Sequence, residues 1–209
     1  MFGYNYLYPL LIEHLARGGI GSRRTLPYEI AIYVFVFITT LIAGWPLVSY
    51  GWKRFVERFP RNVKIVLLSM IGLYAVTVAT TMVVYQIVGE GSSMNQMEVQ
   101  IMFRRTPLFV ALIACVFAPV VEELVFRGSV FTSLKAKGHV IWGIILSSVL
   151  FGFVHVFSSL LAGDYFDLVY MLVYSGMGLV FGIICHRTDS IVASMLVHLL
   201  NNAISMLIL

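Results

Sequence analysis

The sequence predicts an all-α, polytopic membrane helix bundle of about six transmembrane helices around a four-helix core. Three observations carry that reading. Of the 209 residues, 60% are hydrophobic and only 11% are charged, against roughly 25% charged in an ordinary soluble domain. The mean hydropathy is +0.93. The apolar runs are long and do not alternate in character, which favours helices over a closed barrel, the other architecture that satisfies its backbone in lipid.

Residues 1–24 are aromatic and then polar: Phe2, Tyr4, Tyr6 and Tyr8 precede Glu13, His14 and Arg17. A cleaved leader would carry its basic residues first. The order here predicts an interfacial helix ended by Gly18, Gly19 and Gly21. The first span is expected at 28–50, with Pro46 near its end, and a basic loop containing Lys53, Arg54, Arg58, Arg61 and Lys64 follows. The second span is expected at 65–88. Residues 89–105 are polar and read as a surface segment with a short amphipathic helix. Thr106-Pro107 opens the third span, where a proline at the first helical turn costs little.

The third span holds Ala118-Pro119-Val120-Val121-Glu122-Glu123-Leu124-Val125-Phe126-Arg127-Gly128 and runs to about Leu134, with Gly128 a candidate break. A fourth span, 140–160, contains His155. A fifth, 168–185, carries Gly178 and Gly182 at a small-xxx-small spacing that lets helices approach closely. The last, 191–209, contains His198, Asn201 and Asn202. The whole reads as one integral membrane domain, 1–209, with N-terminal spans in 28–107 and a motif-bearing core in 108–209. Cys115 and Cys185 read as small buried hydrophobes rather than as a disulfide or zinc framework. The net charge of +4 comes from loop residues and does not indicate nucleic acid. Alternation places Lys53 to Lys64, Lys135, Lys137 and Arg187 on one side, which the positive-inside rule makes cytoplasmic, with both termini outside.

Ionisable side chains inside a span are costly, at least about 2.5–3.5 kcal/mol each at the bilayer centre, and face a bundle interior or a cavity. Glu123 and Arg127, at i,i+4, form an ion pair on one helix face. Glu122 points roughly 100° away and needs a partner from another helix. Phe151 and His155 share a face, as do His198 and Asn202. In a hydrocarbon core of about 30 Å, Glu122 and His198 fall near mid-depth and His155 deeper. The set of Glu122, His155, His198 and Asn202 suits a general base acting on water, with His198 and Asn202 donating to a developing oxyanion. Glu122, His155 and His198 would equally make a three-ligand zinc set with an open position, although Asn202 is a poor zinc ligand. There is no serine elbow, no His-Glu-x-x-His signature and no phosphate loop. Asp164, Asp167 and Asp189 fall in loops, which excludes an intramembrane aspartate dyad.

Glu122-Glu123-x-x-x-Arg127, Phe151-x-x-x-His155 and His198-x-x-x-Asn202, in that order on separate spans, resemble the three-motif signature of the CAAX protease and bacteriocin-processing (CPBP) family, whose eukaryotic and archaeal relatives are the type II CAAX endopeptidases. The resemblance covers about residues 108–209. It implies an intramembrane endopeptidase with a four-helix catalytic core. Glu122 and His155 would activate water, His198 and Asn202 would stabilise the oxyanion, and Glu123, Arg127 and Phe151 would support the site. It implies no cofactor, with Zn2+ on Glu122, His155 and His198 as the alternative of a metalloprotease. The partners it implies are membrane lipid and a peptide or protein substrate with a membrane-associated segment, in the plasma membrane of a bacterium, in peptide maturation or bacteriocin self-immunity. Two other classes stand beside it: a non-catalytic membrane scaffold or regulator of the same fold, and a proton-coupled transporter, for which the paired broken helices are lacking.

Overall fold

The computed structural model describes residues 26–89 and 91–208. The helix expected before residue 24 lies outside the described residues. Among the described residues seven helices follow in order: α1 (Leu26–Glu57), α2 (Phe59–Val88), α3 (Met94–Arg105), α4 (Pro107–Ala136), α5 (Val140–Leu161), α6 (Met171–Thr188) and α7 (Ile191–Leu207). A 3₁₀ turn, Phe166–Tyr170, leads into α6. No strand occurs among the described residues. Five of the described helical segments are long and apolar enough to cross a membrane, and α7 is apolar but shorter, which bears out the all-α membrane bundle.

The helices divide into a rim and a core. The most apolar windows of α1 and α2 are only 11% buried, against 33% in α4 and 39% in α5 and in Phe166–Thr188. Side chains such as Phe35, Ile42, Leu67 and Ile71 on α1 and α2 therefore face outward, as lipid-facing positions must when the solvent is itself apolar. In α7, Ile191 to Met195 are all buried, so its first turns are enclosed by protein on every side. The core is α4, α5, α6 and α7.

One expectation about continuity is corrected. The basic stretch 53–64 is not a loop. α1 runs through Pro46 to Glu57, the backbone turns at Arg58 (φ −128°, ψ 41°), and α2 begins at Phe59. Lysine and arginine are good helix formers, so a basic run alone does not break a helix. Buried Asn62 closes the corner: its Nδ2 donates to the carbonyls of Arg54 (3.1 Å) and Phe55 (3.0 Å), which the end of α1 leaves open. Gly128 does not interrupt α4, which continues to Ala136.

α4 is nevertheless not a regular helix. It is π-wound at Ile113–Phe117 and at Leu124–Phe131, on either side of the Glu-Glu pair. Pro119 explains the first. It has no N–H and its ring would press on the carbonyl four residues back, so a wider turn ahead of it relieves the clash. The Ala118 N–H then bonds the Ile113 carbonyl, five residues back. Such insertions gather at functional sites because they re-aim the side chains beside them.

Small residues set the spacing of the core. A Cβ at Gly152 on α5 would lie 2.1 Å from Ser175 Oγ and 2.8 Å from the Met171 carbonyl. On α6, one at Gly178 would meet Ser148 Cα at 3.0 Å, and one at Gly182 would meet Ile144 Cγ2 at 3.2 Å. The Gly178/Gly182 stripe is the close α5–α6 contact its spacing predicts. α3 is the expected short helix, capped by Ser93, whose hydroxyl accepts from the Gln96 N–H (3.2 Å). The Met94 N–H donates to Asp167 Oδ1 at 2.9 Å, and Asp167 Oδ2 takes the Ser159 hydroxyl at 2.6 Å. Asp167, expected in a loop, sits in the 3₁₀ turn and anchors α3 there.

Candidate active site

The adjacent carboxylates of α4 project to different neighbours. Glu123 meets Arg127 one turn on, at 3.0 Å from Nη1 to Oε1, and both side chains are fully buried. The second arm of the guanidinium donates to the Gly178 carbonyl at 2.6 Å. Arg127 also lies over the rings of Phe151 (4.9 Å) and Phe181 (5.4 Å), a favourable seat for a desolvated cation. Ser194 of α7 donates to Glu123 Oε2, and His198 Nδ1 stands 3.3 Å from Glu123 Oε1. Glu123 is thus saturated and ties α4 to α7, while its partner Arg127 carries the link to α6.

Glu122 is the opposite case. It is buried, and its Oε2 has no hydrogen-bond partner among the described residues. That oxygen lies 3.9 Å from His155 Nε2 and 3.9 Å from His198 Nε2. The other nitrogen of each ring fixes the tautomer. His155 Nδ1 is 2.8 Å from the Phe151 carbonyl, which can only accept, so Nδ1 carries the hydrogen. His198 Nδ1 faces the Glu123 carboxylate, which Arg127 also pairs, and carries its hydrogen for the same reason. Both Nε2 lone pairs are therefore turned toward Glu122. Three acceptors converge with no donor between them.

Aromatic rings hold the imidazoles in place. His155 stacks on Tyr174 (centroids 4.3 Å apart, 22° between planes) and His198 on Phe181 (4.7 Å, 19°). Phe151 touches both, at 4.5 Å from His155 and 5.6 Å from His198. Asn202 Nδ2 donates to the Ala114 carbonyl at 2.7 Å. In the π-wound turn that carbonyl would look to residue 119, a proline without an N–H, so Asn202 satisfies a group that Pro119 leaves open. Buried Asn201 donates in turn to Asn202 Oδ1 at 3.1 Å.

All four water-handling candidates named from the sequence, Glu122, His155, His198 and Asn202, line a single cavity of about 560 Å³. Glu123, Arg127 and Phe151 surround them as supports. The sequence reading missed Ser194, the Gly178 carbonyl, Tyr174 and Phe181, and it named the cavity-lining Asn201 among the buried polar residues without giving it a role. Ser194 was findable, because it precedes His198 by one turn on the same face. Tyr174 and Phe181 were not, since aromatic residues on an apolar helix have no distinguishing spacing.

A zinc ion would draw on Glu122 Oε2 and the two Nε2 atoms, whose chemistry suits it, with both Nδ1 hydrogens held by outer partners as metal-binding imidazoles prefer. Tetrahedral ligands at about 2.0–2.1 Å stand roughly 3.3–3.4 Å apart. The 3.9 Å separations are wider, and no group of three or more acidic, histidine or cysteine side chains among the described residues is gathered to metal-binding distance.

Residues 104–204 match the family model described as "Type II CAAX prenyl endopeptidase Rce1-like". The stretch contains all three motifs, so the resemblance drawn from them is borne out. A curated protein of Bacillus subtilis (strain 168), "Putative membrane peptidase YdiL", is 29% identical over 119 residues, which is 56% of this chain and 44% of that protein. This chain therefore spans less than half the length of that relative. No solved structure matches it.

Proposed function

We propose that this chain, whose motif-bearing half matches the type II CAAX prenyl endopeptidase family, is an intramembrane endopeptidase that hydrolyses peptide bonds with water activated by Glu122. The observation that carries the reading is the meeting of Glu122 Oε2 with two imidazole lone pairs at 3.9 Å each. A water molecule donating to Glu122 and His155 fits a space bounded only by acceptors.

Glu122 takes a proton from the water and the oxygen attacks the carbonyl carbon of the scissile bond. The carbonyl π pair moves to its oxygen. The second Asn202 Nδ2 hydrogen stabilises that oxyanion, and His198, whose Nδ1 hydrogen is committed to Glu123, adds an Nε2 donor by taking a proton from solvent before attack, a proton it keeps through the cycle. Collapse breaks the C–N bond, and Glu122 returns its proton to the leaving amine. Zinc bound by Glu122, His155 and His198 would supply Lewis acidity at the same place. Substrates in this reading are peptides or proteins with a membrane-associated segment, and the compartment is a bacterial plasma membrane, supported by the apolar helices and the Bacillus relative.

Reconstitution into liposomes with a library of membrane peptides tests it. Wild type should cleave at least one member, and Glu122→Ala should cut it slower by about 10²–10⁴-fold, the usual contribution of a positioned general base. Equal cleavage by both proteins overturns the peptidase. Activity that a chelator removes and zinc restores moves the mechanism to the metal form.

A further inference from the structure

α2 contributes nothing to the Glu122 cluster and lies outside residues 104–204, yet it helps wall the same cavity. Two of its hydroxyls, Tyr74 Oη and Thr77 Oγ1, are buried without a hydrogen-bond partner among the described residues, and both residues line the cavity. They sit at i,i+3, on one face of the helix.

Thr77 is the telling case. A helical threonine ordinarily returns its hydroxyl to the carbonyl three or four residues back. Thr39 does so to Phe35 (2.7 Å), Thr80 to Val76 (2.7 Å) and Thr188 to Ile184 (2.7 Å). Thr77, one turn before Thr80, does not. In an apolar span a hydroxyl with no partner is costly, a cost that Val or Leu at this position would avoid. What both groups can offer is a donor hydrogen, and the ligand atom that takes one without bringing a charge into the membrane is a carbonyl oxygen. The cavity they line also carries apolar side chains, among them Ile32, Val36, Phe109 and Phe117.

We propose that Tyr74 and Thr77 form a carbonyl-binding subsite that holds the backbone of an uncharged peptide segment with apolar side chains, in the cavity that also holds the group that activates water. The proposal rests on the peptidase reading and adds that the N-terminal half of the chain selects and seats the substrate. A lipid ester carbonyl shares the same chemistry, and the assay separates the two sources.

The best-cleaved library peptide is assayed in dodecyl maltoside, which carries no carbonyl, and in phosphatidylcholine nanodiscs. In both, Tyr74→Phe and Thr77→Val should each raise KM roughly 3- to 10-fold, the range that one uncharged hydrogen bond supplies, with kcat nearly unchanged. Thr77→Ser should restore the wild-type KM, and Thr80→Val, whose hydroxyl is spent on its own helix, should behave as wild type. An effect seen only in the nanodiscs assigns the hydroxyls to lipid and overturns the proposal. So does an unchanged KM in an enzyme that Glu122→Ala inactivates, which leaves the peptidase standing. Equal cleavage by wild type and Glu122→Ala removes the peptidase itself.

Discussion

Arg127 is a guanidinium with no exposed surface, in the middle of a helix apolar enough to span a membrane. It is tolerable because Glu123, the Gly178 carbonyl and two aromatic faces surround it. Removing one partner of a buried pair leaves the other charge stranded, at about 3–5 kcal/mol. Arg127→Ala strands Glu123, which also holds Ser194 and the His198 Nδ1 hydrogen. Glu122 has no such dependants, and its loss removes a desolvated carboxylate. Detergent-extracted Arg127→Ala should therefore give a lower yield and a lower Tm than wild type, while Glu122→Ala should match or exceed wild type. A Glu122→Ala protein less stable than Arg127→Ala would reverse the two roles. That division of labour was legible beforehand, because helical spacing alone separates a self-paired Glu123 from an unpaired Glu122. What spacing could not convey is that each imidazole is aimed by its outer nitrogen, since that depends on a carbonyl and a carboxylate reached only through the fold.

At the scale of elements, the span positions were readable because membrane helices announce themselves by length and apolarity. The joins were not. A basic stretch between two spans looks like a loop, but its hidden partner was Asn62, a lone amide capping open carbonyls across a corner. The π-wound turns of α4 were equally silent, although Pro119 was their local cause and Asn202 their remote consequence. Small residues were better omens. α5 and α6 approach so closely at Gly152 that an added methyl would meet Ser175 Oγ at 2.1 Å and backbone atoms of α6. Overpacking a close contact costs about 1–3 kcal/mol, more than the roughly 1 kcal/mol that alanine gains over glycine in a helix. Gly152→Ala should lower the Tm and, since α5 carries His155 and α6 carries Tyr174, reduce cleavage as well. Gly72 on α2 has open space around its Cβ position, so Gly72→Ala should leave cleavage intact and raise the Tm slightly. Equal behaviour of the two variants would mean that the α5–α6 approach is not what fixes His155.

For the molecule as a whole, one carboxylate at the end of the bundle ties rim to core. Asp189 stands in the turn between α6 and α7, in a left-handed conformation (φ 52°, ψ 35°). It accepts from Tyr50 at 2.7 Å and Arg54 at 3.2 Å on α1, and it pairs with Lys135 on α4. The next residue, Ser190, caps α7 and donates to the Gly51 carbonyl at 2.7 Å. Burial by itself pushes the Asp189 carboxyl upward, but the hydrogen bonds from Lys135 and Tyr50 and the charge of Lys135 outweigh it and hold the group below its ordinary value of 3.8. The linkage follows from that direction. Near and below pH 3.8 the unfolded chain binds more protons at this position than the folded one, so stability rises with pH there. The contribution is complete above the unfolded value and is lost as pH falls through the folded one. Asn tolerates the left-handed conformation and keeps the shape without the charge, which makes Asp189→Asn the clean comparison. Its Tm should fall furthest below wild type at pH 7, and the gap should narrow as pH falls below 3.8. A gap that stays constant across that range would show that Asp189 supports the corner through shape alone, and that α1 is held to α4 and α7 by apolar packing around Leu47, Leu124 and Ile191 instead.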